Sequence, residues 1–330
     1  MLAKGPETVK AGLVIPPQHG EITVPLPTEA SSEAGRARMI AIGLMCSAVV
    51  LFSLLDTSAK WLGQSMNPLQ VVFARYVGSM ALVLILFNPW TRPGVLRTKR
   101  PWLQWGRSLL LLGSTALNFL ALRHLQLAET VSIMFATPLL VALASGPLLG
   151  EWPGPRRLAA IGVGFIGVLV VTRPGFGSMH PAALLVVLGC ISYAFYALAT
   201  RVLSGHDSSE TTMIYSGAAG TLATIPLLPW IWETPTTALP WLLMLAVGVF
   251  GGLGHWLLIL AHRLAPATVL APFIYSQIIW MLLLGWLVFD QVPDRWTFVG
   301  SGIVIASGLY LLYRERVRHV PEESASARLD

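Results

Sequence analysis

Apolar residues fill ten stretches of the chain, and short polar loops separate them. The stretches cover residues 39–60, 68–88, 103–122, 128–149, 156–172, 180–201, 211–231, 239–261, 267–289 and 296–313. Most have the roughly 20 residues that a helix needs to cross a hydrocarbon layer about 30 Å thick. The loops carry proline, glycine and charge, as expected where unpaired backbone groups meet water. The pattern predicts an all-α integral membrane protein with ten transmembrane helices, which we call spans 1 to 10.

One part of this pattern occurs twice. Residues 125–170 contain span 4, an acidic loop and span 5, and a shift of 139 places residues 264–309 on them without a gap. Seven of the 46 positions are identical, including Gly146 with Gly285 and Arg156 with Arg295. A half with five spans ends on the side opposite to its start, so its copy must be inverted in the membrane. Inverted repeats of this kind are common in secondary transporters.

Composition agrees with a membrane protein. Hydrophobic residues make up 55% of the chain and charged residues 12%, whereas about 25% of residues are charged in soluble domains. The net charge is +6, but the basic residues lie in short loops and form no basic face on a polar domain. A nucleic-acid partner is therefore not expected. Cys46 and Cys190 both lie in apolar segments, so we expect no disulfide framework, no metal site and no cofactor.

The loop charges predict an orientation. If both termini are cytoplasmic, fourteen Lys and Arg residues near the spans lie inside and four lie outside, which follows the positive-inside rule. Residues 1–36 are rich in Pro, Glu, Ser and Thr and are expected to form a disordered cytoplasmic tail. The predicted repeats cover residues 37–174 and 175–316, and residues 317–330 form a second cytoplasmic tail.

Several motifs resemble a known family. They are LLDTSAKWLG in span 1, FARYVGSMALVL in span 2, ATPLLVALASGPLLGEWPGPRRLAAIGVGFIGVLVVTRPG in spans 4 and 5, and GGLGHWLLILAHRLAPATVLAPFIYSQIIW in spans 8 and 9. Over residues 39–316 the chain resembles the EamA family of the drug/metabolite transporter superfamily, in the branch with S-adenosylmethionine uptake and riboflavin transporters. The resemblance implies two inverted five-helix repeats in the cell inner membrane. It also implies alternating access to a small organic solute such as S-adenosylmethionine, riboflavin or an amino acid, in a monomer or homodimer.

Three charged residues lie within the apolar segments. Asp56 and Lys60 are four residues apart near the end of span 1, and Arg75 lies about two turns into span 2. Charges at such positions cost on the order of 2.5 to 3.5 kcal/mol and are candidates for function. In a structural interpretation the three residues share their charge and hold spans 1 and 2 together. In a functional one, Arg75 or Lys60 attracts an anionic group of the substrate or belongs to an outer gate.

Aromatic residues in spans 6 and 8 are further candidates for substrate binding. Tyr193, Tyr196 and Thr200 lie on one face of a helix, which could stack a planar substrate or anchor the helix at the membrane surface. His255 and Trp256 follow a run of glycines that favours close helix packing. His255 could face the substrate, or it could be a neutral imidazole bonded to a neighbouring helix.

Span 9 and the resemblance supply the remaining candidates. Tyr275 and Gln277 are two residues apart, so a continuous helix would point them to different faces, and Gln277 shares its face with Trp280. The resemblance implies that spans 1, 3, 4, 6, 8 and 9 line the pathway, which adds Asn118 in span 3 and Phe135 in span 4. Spans 5 and 10 are then expected to be scaffold.

Motifs of soluble enzymes find little support. Gly162, Gly164 and Gly167 spell GxGxxG, but no strand precedes them and the helix is apolar, which favours helix packing over dinucleotide binding. The sequence contains neither a GxxxxGK[ST] loop nor HExxH. His206 and Asp207 lie in a short polar connection that is typical of a turn. We therefore expect no enzymatic activity, and a membrane-embedded enzyme or a non-transporting metabolite sensor is the alternative.

Overall fold

The computed structural model describes residues 29–87, 93–150, 152–173, 180–203, 206–265 and 267–318. The chain divides into two compact units, residues 1–36 and residues 37–330. Of the predicted N-terminal tail, residues 1–28 lie outside the described residues. Residues 29–36 form the first turns of a helix, although we expected them to be disordered.

Every regular element in the described part of the chain is helical. The helices are α1 (Glu29–Gly63), α2 (Pro68–Leu86), α3 (Pro101–Leu122), α4 (Leu127–Met134), α5 (Thr137–Leu149), α6 (Pro155–Thr172), α7 (Ala182–Leu203), α8 (Ser209–Thr224), α9 (Leu228–Ile231), α10 (Ala238–Leu264), α11 (Ala267–Ile274), α12 (Gln277–Phe289) and α13 (Arg295–Arg318). Short 3₁₀ turns cover Pro93–Leu96 and Ile225–Leu227.

These helices correspond to the predicted spans. Within the described ranges, nine segments are long and apolar enough to cross a membrane, when α4 is counted with α5, α8 with α9, and the end of α11 with α12. Helix α3 has 22 residues and supplies the tenth segment, although Gln104, Arg107 and Asn118 make it more polar than the others. The prediction of an all-α protein with many membrane spans is confirmed.

Glycines set the closest helix crossings. A Cβ atom on Gly78 in α2 would lie 2.7 Å from the Cα atom of Gly248 in α10, and one on Gly167 in α6 would lie 2.7 Å from Cγ2 of Val304 in α13. Such contacts require glycine, because small residues let helix backbones approach in a membrane. A Cβ atom on Gly164 would lie even closer to Cδ1 of Leu139, whereas one on Gly162 would face open space. The packing interpretation of the GxGxxG run is thus confirmed for two of its three glycines.

Spans 4 and 9 are both broken, and at equivalent positions. Helix α4 ends at Met134 and α5 begins at Thr137, while α11 ends at Ile274 and α12 begins at Gln277. All four boundaries correspond under a shift of 140 residues. The sequence comparison used a shift of 139, so the structural correspondence corrects it by one residue. Few identities constrain the alignment, whereas helix ends locate the repeat directly.

Different residues cause the two breaks. In the first, Pro138 has no backbone N–H to donate to the carbonyl of Met134, so one helical hydrogen bond is lost. In the second, the hydroxyl of Ser276 donates to the carbonyl of Phe273 at 2.6 Å. That bond competes with the helical ladder for the same carbonyl. Each break leaves two residues outside the flanking helices, at the centre of the span.

Candidate functional site

A cavity of about 750 Å³ lies between the two halves of the chain. It is deep enough to hold a small organic molecule, since ligand pockets usually measure roughly 300 to 1,000 Å³. Eight of the twelve residues singled out from the sequence line it: Asp56, Arg75, Asn118, Phe135, Tyr193, His255, Tyr275 and Gln277.

The deep end of the cavity is polar. Asn118 in α3 donates through Nδ2 to Oδ1 of Asp56 in α1 at 3.2 Å. Arg75 in α2 donates through one terminal nitrogen to the hydroxyl of Thr115 in α3 at 3.0 Å. Tyr76 is also within hydrogen-bond distance of that hydroxyl, at 3.1 Å. Helix α3 therefore holds the carboxyl group and the guanidinium apart through two neutral side chains that lie one turn from each other.

Five polar atoms on the cavity lining are buried and have no hydrogen-bond partner. They are Nε of Arg75, Arg157 and Arg314, Oδ1 of Asn118 and the hydroxyl of Tyr275, and all five side chains belong to the cavity wall. Buried polar groups in proteins are nearly always hydrogen-bonded, so each such atom needs an explanation. A bound solute with matching groups would provide one.

Aromatic rings form the middle of the cavity. Phe135 and Tyr275 occupy equivalent positions in the two helix breaks, and their rings meet edge to face with centroids 4.9 Å apart. Phe52 in α1 and His255 in α10 form a second edge-to-face pair at 5.0 Å. The Nδ1 atom of His255 lies 2.9 Å from the carbonyl of Gly251 in its own helix. The imidazole is thus bonded within α10 and not to a neighbouring helix, and its ring still lines the cavity.

Basic residues surround the other end of the cavity. Arg157 at the start of α6, Arg201 at the end of α7 and Arg314 near the end of α13 belong to the lining, together with Trp152. Trp152 and Arg201 are exposed, whereas Asp56, Arg75 and Asn118 are buried. The cavity is therefore open at the end with these arginines and closed at the end with Asp56.

Lys60 lies outside the cavity. Its side chain is 3% exposed, and its ammonium donates to the carbonyls of Leu122 at 2.9 Å and Leu125 at 2.5 Å. It also lies over the ring of Phe289, 5.3 Å from the centroid. Lys60 was expected to share its charge with Asp56, but its ammonium instead bonds to the end of α3. The four-residue spacing on α1 gave no sign of this, because the partners lie some 60 residues away.

The other three candidates also lie away from the cavity lining. The guanidinium of Arg107 lies 4.9 Å from the ring centroid of Tyr196. That guanidinium also donates to Thr200, Ser216 and the carbonyl of Thr212. Trp256 packs edge to face on Phe87 at 6.0 Å, and Trp280 is 37% exposed on the surface.

Two expectations about the lining were wrong. Tyr275 and Gln277 were expected to point to different faces of one helix, but both line the cavity. The helix is broken between Ile274 and Gln277, so the spacing of a continuous helix does not apply to them. Spans 5 and 10 are not scaffold alone, since α6 contributes Arg157 to the lining and α13 contributes Leu311, Leu312 and Arg314. Sequence reasoning also missed Thr115 and Ser114. Small hydroxyl side chains in an apolar helix usually bond to their own backbone, so nothing in the sequence marked these two.

Polar links also occur in the loops. Arg173, after α6, pairs with Asp294, before α13, at 2.5 Å. Burial raises the pKa of Asp294, but the bonds from Thr297 and the charge of Arg173 outweigh it and leave that pKa below its ordinary value. His206 and Asp207 lie in a turn after α7, as predicted. Asp207 accepts hydrogen bonds from Thr98 and Gln104 and so ties that turn to the start of α3.

Known proteins share both the sequence pattern and the fold. The model of the EamA-like transporter family matches residues 39–173 and again residues 180–314. An S-adenosylmethionine uptake transporter from Rickettsia conorii is 28% identical over 290 residues, which are 86% of this chain and 96% of that protein.

Other relatives have different substrates in their names. A riboflavin transporter from Vibrio cholerae is 27% identical over 81% of this chain and 91% of its own length. A pseudopaline exporter from Pseudomonas aeruginosa is 27% identical over 79% of this chain and 91% of its own length. A solved crystal structure superposes with a TM-score of 0.58 at 18% identity, over 87% of this chain and 99% of that one, which shows a shared fold.

Proposed function

Because the chain belongs to the EamA-like transporter family, we propose that its cavity carries a small organic metabolite across the inner membrane by alternating access. The protein is a small-metabolite transporter, as its family and its relatives indicate. The relatives are named as transporters and exporters, which supports a non-enzymatic role over a membrane enzyme or a sensor.

The observation that carries this proposal is the cavity itself. Both repeats line it, and it is closed at Asp56 and open at the arginine-rich end. Two inverted halves can exchange conformations, so a site between them can open to one side and then to the other. The helix breaks at Phe135 and Tyr275 support the same proposal, since broken helices at equivalent positions of two repeats mark substrate sites in secondary transporters.

We assign both termini to the cytoplasm. The positive-inside distribution of Lys and Arg supports this orientation, and it puts Arg157, Arg201 and Arg314 on the cytoplasmic side. The cavity then faces the cytoplasm in this conformation. Within the same proposal, residues 37–174 and 175–316 are the two repeats, and residues 1–36 and 317–330 are cytoplasmic tails.

Transport can be tested in sealed liposomes that contain the purified full-length protein. We expect saturable uptake or exchange of at least one of four labelled probes: S-adenosylmethionine, riboflavin, L-tryptophan and adenosine. The control is Asn118→Trp, which fills the deep end of the cavity and should abolish the flux. The proposal fails if no probe moves faster than in protein-free liposomes, or if Asn118→Trp transports as well as the native protein.

A further inference from the structure

The deep end of the cavity contains an acidic and a basic side chain that do not contact each other. Asp56 is bonded to Asn118, and Arg75 is bonded to Thr115. Within the described ranges no direct ion pair joins Asp56 and Arg75, although both side chains are 7% exposed. Buried charges are costly unless they are paired and hydrogen-bonded. This arrangement therefore calls for a partner that can reach both groups.

Two of the five buried lining atoms without a hydrogen-bond partner lie at this deep end. Arg75 keeps an unpaired N–H donor at Nε, and Asn118 keeps an unpaired acceptor at Oδ1. Next to the carboxyl group there is thus a second acceptor, and the guanidinium has a spare donor. Lys60 takes no part here, because its ammonium bonds to the end of α3 and the nearby charged group acting on it is Glu129.

We propose that this deep end recognises the zwitterionic head group of an α-amino-acid solute. The ammonium of the solute binds Asp56 and Oδ1 of Asn118, and its carboxylate binds Arg75. A zwitterion supplies both charges and leaves the site electrically balanced, whereas a purely cationic or anionic solute leaves one protein charge unmatched. This inference rests on the proposed transport function and names the class of solute carried.

The rest of the cavity fits an aromatic or heterocyclic side chain on that solute. Beyond the charged end, the rings of Phe135 and Tyr275 and those of Phe52 and His255 line the space. Such rings favour offset-stacked or edge-to-face contact with another planar ring.

Binding of matched probes to the native protein tests the head group without any mutation. The first set is L-tryptophan, tryptamine, which lacks the carboxylate, and indole-3-propionate, which lacks the ammonium. The second set is S-adenosylhomocysteine and 5′-methylthioadenosine, a thioether like it that lacks the amino-acid end. We expect at least one zwitterionic probe to bind about tenfold or more tightly than its edited partners, because a bond to a charged group is worth about 1.5 to 3 kcal/mol. The inference is overturned if no zwitterionic probe binds or if the edited probes bind equally well.

Two variants assign each half of the head group to a residue. Asp56→Asn should remove most of the preference for tryptophan over indole-3-propionate, and Arg75→Gln should remove most of the preference for tryptophan over tryptamine. Asp290→Asn and Arg123→Gln make the same chemical changes at exposed positions outside the cavity lining and should keep both preferences. Equal loss in the variants and their controls, or no loss in any of them, contradicts the assignment.

Measurements of probe binding and of liposome flux distinguish the head-group assignment from the transport function. A zwitterionic probe that binds with the expected preference but does not cross liposomes contradicts the transport function and supports the head-group assignment. Flux of riboflavin or adenosine without any binding of zwitterionic probes supports transport and contradicts the assignment.

Discussion

The ammonium of Lys60 lies where α3 ends, and it bonds to the carbonyl of Leu122, the last residue of that helix, and to the carbonyl of Leu125 in the loop that follows. Lysine near a helix C-terminus is favourable for this reason. We predict that Lys60→Met lowers the melting temperature of the purified protein, because an unsatisfied buried group costs about 1 to 3 kcal/mol. Solute affinity should stay the same. The control is Lys99→Met, whose side chain is exposed. A variant that melts normally but binds solute weakly would instead indicate a direct role in binding.

Asp207 gives the loop after α7 a pH-dependent link to α3. Burial raises the pKa of its carboxyl group, but hydrogen bonds from Thr98, Gln104 and the Lys99 amide outweigh that effect and hold the pKa below its ordinary value. A lowered pKa in the folded state stabilises the protein above the unfolded pKa of about 3.9, and the gain disappears as pH falls through the folded pKa.

The sign of this effect can be measured. At neutral pH, Asp207→Asn should melt at a lower temperature than the native protein, and the gap should close as the pH falls below about 4. Thermal unfolding between neutral and acidic pH in the same detergent provides the comparison. A gap that is constant over this range would show that the ionised carboxylate of Asp207 contributes no stability.

Some single residues were predictable from sequence and others were not. Asp56, Arg75 and His255 stood out because polar groups in apolar helices are rare and costly, and all three line the cavity. Thr115 did not stand out, since a threonine in a helix normally bonds to the carbonyl four residues back, as this one also does. Its second bond, to Arg75, depends on how α2 packs against α3, which no local pattern reveals.

At the scale of helices, the closest crossing of α6 and α13 depends on single glycines. Gly167→Ala should destabilise the protein, because the added Cβ would lie 2.7 Å from Val304 and 2.9 Å from the carbonyl of Gly300. Gly162→Ala in the same helix is the matched control. It meets nothing within 4 Å and should be neutral or gain about 0.5 to 1 kcal/mol, since alanine favours helix over glycine. Equal melting temperatures for the two variants would contradict the close crossing.

The ten spans followed from hydrophobic stretches, but the breaks in spans 4 and 9 did not. Sequence reasoning treated span 9 as one helix and separated Tyr275 from Gln277. Pro272 in the sequence suggests a weakened helix, yet the break lies after it, where the Ser276 hydroxyl donates a hydrogen bond to the carbonyl of Phe273. A serine makes such bonds in many intact helices, so only the tertiary context decides whether the helix ends. The sequence also placed the second repeat one residue away from its structural position, because the two repeats have few identical residues to fix their alignment.

At the scale of the whole molecule, the orientation in the membrane can be tested by cysteine labelling. In a protein whose Cys46 and Cys190 have been replaced by serine, Thr236→Cys should react with an impermeant thiol reagent from outside intact cells. Lys99→Cys should react only after the membrane is opened. Both positions are exposed. The reverse pattern would overturn the assignment of both termini to the cytoplasm.

Alternating access requires one cavity that opens to each side of the membrane in turn. Ser114 in α3 lines its closed end and is buried, so its accessibility reports directly on that claim. In the same cysteine-free protein, sealed vesicles of each orientation should show slow labelling of Ser114→Cys from both faces, faster from the cytoplasmic one, and a transported solute should reduce both rates. Labelling from one face only, at a rate that no transported solute changes, would contradict alternating access.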